Sequence, residues 1–104
     1  MILTTTNNIE NKQIQNYLGL VSGETIIGAN FIKDFMSSIT DIIGGRSSSY
    51  EKVLVEAKEI ALKEMQDKAQ KLGANAIVGI DLDYASVGKA GGMLMVTVTG
   101  TAVV

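Results

Sequence analysis

A chain of 104 residues, 46% apolar and 19% charged, has the length of one domain, 1–104, but is apolar-rich and charge-poor for a small soluble protein. Its net charge of -2 gives no electrostatic reason to expect nucleic acid or an anionic membrane as a partner, since both favour clustered Lys and Arg. Cysteine and histidine are both absent, which excludes a disulfide framework, a thiol nucleophile and a zinc ribbon, and removes the commonest general base and metal ligand.

At the start, Met1-Ile2-Leu3 runs straight into Thr4-Thr5-Thr6-Asn7-Asn8, without the basic head and apolar run of a signal peptide. A short extended piece over Ile2 to Thr6 and a polar turn through Asn7, Asn8 and Asn11 are expected. The segment Ile14 to Ile27 is rich in Ile, Leu, Val and Tyr and is broken by Gly19 and Gly23, which predicts one or two strands with a bend near Ser22-Gly23. The most membrane-like stretch, Tyr17 to Gly45, is interrupted by Glu24, Lys33, Asp34 and Asp41, so a soluble, cytoplasmic protein is expected.

From Ala29 the period changes. Phe31, Ile32, Phe35, Met36, Ile39, Ile42 and Ile43 recur at intervals of three and four, which predicts an amphipathic helix stopping at Gly44. A second, longer helix is bracketed by a capping box, Ser48 with Glu51, and by Gly73. Pairs at i,i+4 (Glu59 with Lys63, Glu64 with Lys68, Asp67 with Lys71) mark its solvated face. Tyr50, Val53, Leu54, Val55, Ala57, Ile60, Ala61 and Leu62 cover more than one stripe, so this helix should have a sheet beneath it and a second neighbour beside it.

Two strands close the chain. Ala76, Val78, Ile80, Leu82 and Tyr84 alternate with Ile77, Gly79, Asp81 and Asp83, and Leu94, Val96, Val98, Ala102 and Val104 alternate with Met93, Met95, Thr97, Thr99 and Thr101. Ser86 to Gly92 reads as a wide hairpin connection. The order predicts an α+β fold: a mainly antiparallel sheet with two helices, one long, packed on one face.

The blocks YLGLVSGETIIGANFIKDF, DIIGGRSSSYE, KLGANAIVGIDLDY and MLMVTVTGTAVV together resemble the YbjQ-like family of small bacterial and archaeal proteins, labelled "putative heavy-metal-binding domain". The resemblance covers nearly the whole chain. It implies a compact α+β subunit of a ring-shaped homo-oligomer, with pentamers expected, and supplies no catalytic residues. Relatives often carry a cysteine where this chain has Leu18, so the best soft-metal ligand of the family is missing.

Three places bear on chemistry. Gly44-Gly45-Arg46-Ser47 precedes a helix N-terminus, where free N–H groups and the helix dipole favour an anion and Arg46 would add a bidentate contact; the alternative is a helix-to-helix turn with Arg46 paired to Asp41 or Glu51. Asp81 and Asp83 share one side of a strand and offer oxygen to a hard cation, or simply form the wet face of a sheet. Met93 and Met95 share a face with thioether sulfur suited to copper(I), or serve as a packing surface. Asp34 and Asp41 would line one side of the first helix, and Glu24 has no evident catalytic partner. The resemblance implies a non-enzymatic, oligomeric binding module for metal or a small ligand at subunit interfaces; the alternatives are a structural or protein-interaction ring without metal and an enzyme working without His and Cys, and no nucleic-acid or membrane partner is expected, the cofactor being unspecified.

Overall fold

A computed structural model of the chain describes residues 1–28, 42–43, 46–88 and 92–104. The elements are β1 (Ile2–Leu3), β2 (Tyr17–Gly28), β3 (Ile42–Ile43), β4 (Arg46–Ser47), α1 (Ser48–Lys71), β5 (Ala76–Val87) and β6 (Met93–Val103). Four strands make one mixed sheet in the order β1-β5-β6-β2: β1 runs parallel to β5, while β5–β6 and β6–β2 are antiparallel. Among the described residues α1 is the one helix, and it lies on one face of that sheet, against β2 and β6.

Helix α1 starts at Ser48 and spans the expected 24 residues. Its far end is a Schellman motif: Gly73, at φ 86°, donates to the Gln70 carbonyl at 3.0 Å, and Ala74 donates to that of Ala69 at 3.1 Å. Glu64 pairs with Lys68 at 3.3 Å as expected, but Lys63 reaches forward to Asp67 at 3.2 Å rather than back to Glu59. Both pairs are solvent-exposed and are worth only a few tenths of a kcal/mol, about 0.3–0.5 each.

The buried stripe of α1 is Val53, Ala57, Ala61, Met65 and Ala69, every fourth residue. Three of the five are alanine, so the helix comes close to the sheet. Gly23 completes the fit, because a Cβ there would collide with the Ala61 carbonyl oxygen and stand 2.9 Å from the Met65 nitrogen. Thr25 tethers the same contact, its hydroxyl donating to the Ala57 carbonyl at 2.9 Å. Gly23 therefore marks a helix contact inside one continuous strand, not a bend between two; the irregularity of β2 lies further upstream, as a bulge between Tyr17 and Gly19.

Under the helix, Val21, Met65, Ile77, Ile80, Val96, Val98 and Ala102 form the core. The expected alternation of β6 holds over Leu94, Val96, Val98 and Ala102, which face inward, but not at the strand's end, where Val103 is buried on the other face and Val104 is exposed. That of β5 breaks at a bulge between Val78 and Asp81, where Gly79 takes φ 63°. Ile77, Ile80 and Leu82 consequently serve the helix-side core, while Ala76 and Val78 pack on the other face with Val103, Ile9 and Ile14. Gly100 accommodates the bulge, since a Cβ there would lie 2.6 Å from Ile77 Cγ2 and 3.2 Å from Ile80 Cγ1. The displaced amides are satisfied by the N-terminal segment: Gly79 donates to the Thr6 carbonyl at 2.8 Å and Ile80 to that of Thr4 at 3.1 Å.

A further expectation is corrected. Ile42 and Ile43 are not the end of a helix but a strand paired antiparallel with Ser47 and Arg46. The remainder of that expected helix, with Phe31 through Ile39 and the carboxylates Asp34 and Asp41, lies outside the described residues. Val55 and Ile60, on either side of the buried stripe, are 47% and 56% exposed, so among the described residues the helix has the sheet beneath it and nothing that buries these two.

Gly23→Ala should cost about 1–3 kcal/mol through overpacking against helix backbone, whereas Gly28→Ala, with nothing within 4 Å of its added Cβ, should change stability by less than about 0.5 kcal/mol. Urea unfolding of the two variants beside the parent measures the difference; equal midpoints would refute the close-contact role of Gly23.

Candidate functional site

The sheet face opposite α1 is organised in rows by the strand register. Across β5, β6 and β2 these rows read Val87–Met93–Gly28, Ala85–Met95–Ile26, Asp83–Thr97–Glu24, Asp81–Thr99–Ser22 and Val78–Thr101–Leu20. Two polar rows of carboxylates and hydroxyls are thus enclosed between apolar ones. Asp81 and Asp83 do point to one side, as their spacing predicts, and both are exposed. What the sequence did not reveal is that Glu24 joins them on that face, in the row of Asp83.

Glu24 and Asp83 are separated by the intervening β6 strand, about 9.5 Å at the usual strand spacing. That separation explains why, among the described residues, no three of the Asp and Glu side chains come together closely enough to hold a metal ion. Asp83 is raised above the ordinary carboxylate range, first by a hydrogen bond with Asp81 and then by the repulsion of its charge, with a small desolvation contribution.

Met95 sits one row beyond the acid pair, and Met93 two rows beyond, opposite Val87. Met93 Cε lies 3.0 Å from where a Cβ on Gly88 would be, so its thioether end folds toward the β5–β6 connection, away from the carboxylates. The two methionines share the face with Asp81 and Asp83 without converging on them. Residues 89–91 of that connection lie outside the described residues.

The glycine-rich candidate divides differently. Gly44 and Gly45 lie outside the described residues, while Arg46 and Ser47 form β4 and lead directly into α1. The chain therefore reaches the helix N-terminus as a strand paired with Ile42–Ile43, not as a turn between two helices.

A second concavity, of about 1010 Å³, opens beside the N-terminal segment and is lined by Asn7, Asn11, Gln13 and Tyr17 among others. Its shape follows from the turn at Ile9–Lys12, where Lys12 donates to the Ile9 carbonyl at 3.2 Å and Asn11 takes φ 63°. Its charged lining residues are Glu10 and Lys12, of opposite sign.

Two comparisons place the chain among known proteins. The model of the YbjQ family, described as "Putative heavy-metal-binding", matches residues 1–104. A crystal structure of a protein of unknown function from Pediococcus pentosaceus, of the DUF74 family, has a similar fold with a TM-score of 0.64 and 18% identity, over 100% of this chain and 96% of the other.

Asp81→Asn should bring the Asp83 titration down toward its ordinary value, because it removes the carboxyl partner whose hydrogen bond and then whose charge oppose ionisation. Carboxyl-detected NMR titration reads this directly. The sign for stability follows: a raised native value favours the fold at low pH, and this contribution is lost as pH rises through the Asp83 titration. An Asp83 midpoint unchanged by Asp81→Asn would refute the coupling.

Proposed function

This chain belongs to the YbjQ family, and from that premise we propose that it is a non-catalytic, cytoplasmic binding module that assembles as a ring of five copies and holds a hard divalent cation where subunits meet. The observation that carries the reading is the Asp81–Asp83 pair, exposed side by side on the open sheet face, where the neighbouring Asp81 raises the titration of Asp83. Paired carboxylates beside threonine hydroxyls are an oxygen donor set, the kind chosen by calcium, magnesium or manganese.

The family's description as heavy-metal-binding fits this chain's donors poorly. Zinc and copper sites are built from thiolate and imidazole, and the sequence has no cysteine and no histidine. The thioethers Met93 and Met95 are the soft donors on the open face, and Met93 is turned toward Gly88. One subunit also offers too few oxygens for a hard cation, which takes six or more. A ring supplies the rest by repeating the pair at each subunit boundary.

Native mass spectra near neutral pH, with manganese, calcium, zinc, nickel or copper(I) added, test the reading. A five-subunit mass with saturable manganese or calcium additions, lost in Asp81→Asn/Asp83→Asn, is expected. Cation at a hundred times its dissociation constant should also stabilise the assembly by about 2.7 kcal/mol. A five-subunit mass without specific additions would leave a structural ring and remove the cation, and copper(I) additions lost only in Met93→Leu/Met95→Leu would transfer the site to the thioethers.

A further inference from the structure

We propose that the concavity beside the N-terminal segment is a binding site for a neutral, polyhydroxylated ligand, a saccharide, held by the carboxamides of Asn7, Asn8, Asn11 and Gln13 and by the ring of Tyr17. It involves neither the acid pair nor a cation, and stands whether or not those do.

Carboxamides are concentrated in this one stretch of the sequence. Six of the ten Asn and Gln residues of the chain lie within positions 7–16, and four of those six line the concavity. The turn itself calls for Asn11, whose φ of 63° is a conformation that asparagine tolerates, but it requires no carboxamide at Gln13. Among the described residues, no protein group is hydrogen-bonded to any of these four side chains. Each keeps an acceptor oxygen and two N–H donors for an incoming group.

The walls are held in place from both sides. Upstream, the Thr6 carbonyl accepts from Gly79 at 2.8 Å, and the Thr6 hydroxyl donates to the Asn8 carbonyl at 2.7 Å. Downstream, Gln15 and Asn16 donate to the Val104 carbonyl at 2.7 and 3.0 Å, and Val104 donates back to the Asn16 carbonyl at 3.0 Å. Between these anchors Ile9 and Ile14, which also line the concavity, pack on Ala76, Val78 and Val103. A loop fastened in this way loses little further conformational freedom when a ligand arrives, as pre-formed small-molecule sites do.

The lining selects the class of ligand. Glu10 and Lys12 oppose each other in sign, so the site favours neither an anion nor a cation. Hydroxyl groups both donate and accept, which matches carboxamides, and several on one molecule engage several amides at once. A sugar ring also has an apolar C–H face. Tyr17, 68% exposed, offers the flat apolar body that such a face covers, with a phenol at its rim. At about 1010 Å³ the concavity stands at the upper end of small-molecule sites, roughly 300–1,000 Å³, and has room for more than one sugar ring.

Two-dimensional NMR of the isotope-labelled protein, which sees each side-chain NH2 group, tests the site. The probes are glucose, galactose, mannose, N-acetylglucosamine, maltose and cellobiose at millimolar concentrations, with adenosine and glycine amide as neutral ligands that are not sugars. Saturable shifts of the Asn7, Asn8, Asn11 and Gln13 side-chain amides with at least one sugar, and none with glycine amide, are expected. Asn11→Gly suits the left-handed backbone while removing the carboxamide, so it should weaken that binding about tenfold, and Tyr17→Ala by about as much. Manganese additions that depend on Asp81 and Asp83 should be unchanged in both variants. No saturable shift with any of the six sugars would overturn the site, and saturation by adenosine alone would overturn the ligand class. Sugar binding undiminished in both variants would overturn the assignment to these residues.

Discussion

The fold depends on how closely one helix approaches one sheet. Ala57, Ala61 and Ala69 give α1 a nearly flat underside, and Gly23 leaves the Ala61 carbonyl room to sit almost on the β2 backbone. At that distance Val53, Met65, Val96 and Val98 fill the remaining space completely, each burial contributing about 1.5–3 kcal/mol. The covered face of the sheet is thereby committed to packing. Recognition is left to the other surfaces, the open face of the sheet among them.

What stands on that open face is set by a second constraint, the bulge in β5. Inserting one residue at Gly79–Ile80 reverses the strand's phase, so that Val78 and Asp81, three apart, face the same way. Without it, Asp81 and Asp83 would turn toward the helix if Ala76 and Val78 kept their places. Gly100 makes room for the two isoleucines that the bulge brings together, and the carbonyls of Thr4 and Thr6 take up its amides. The N-terminal segment is therefore part of the site's framework although it lies outside the acid rows.

Legibility followed the range of the interactions involved. Helix α1 could be read to its ends because a capping residue, a C-terminal glycine and i,i+4 charges all act within one turn. The β6 alternation survived as far as Ala102 because nothing interrupts its pleat. The β5 alternation did not: Gly79 looked like one more alternating residue, and only the pairing with β6 shows that two residues there oppose Gly100 alone. Ile42 and Ile43 continued the helical spacing begun at Phe31, yet they pair with Arg46 and Ser47, a case of local pairing overriding periodicity. Asp81 and Asp83 could be placed together from their spacing, but Glu24 lies on β2, and its position in the row of Asp83 is a matter of register, which no local pattern encodes.

The acid pair also stands apart from the other candidates on energetic grounds. At exposed strand positions threonine or lysine would serve the sheet as well as aspartate, and the opposing Thr97 and Thr99 suit hydroxyl neighbours. Two carboxylates close enough to raise the Asp83 titration instead oppose each other whenever both are ionised. The strand gains nothing from that opposition, whereas a cation placed between the two would turn repulsion into attraction. A local cost without a local structural return is the physical reason for seeking function at Asp81 and Asp83.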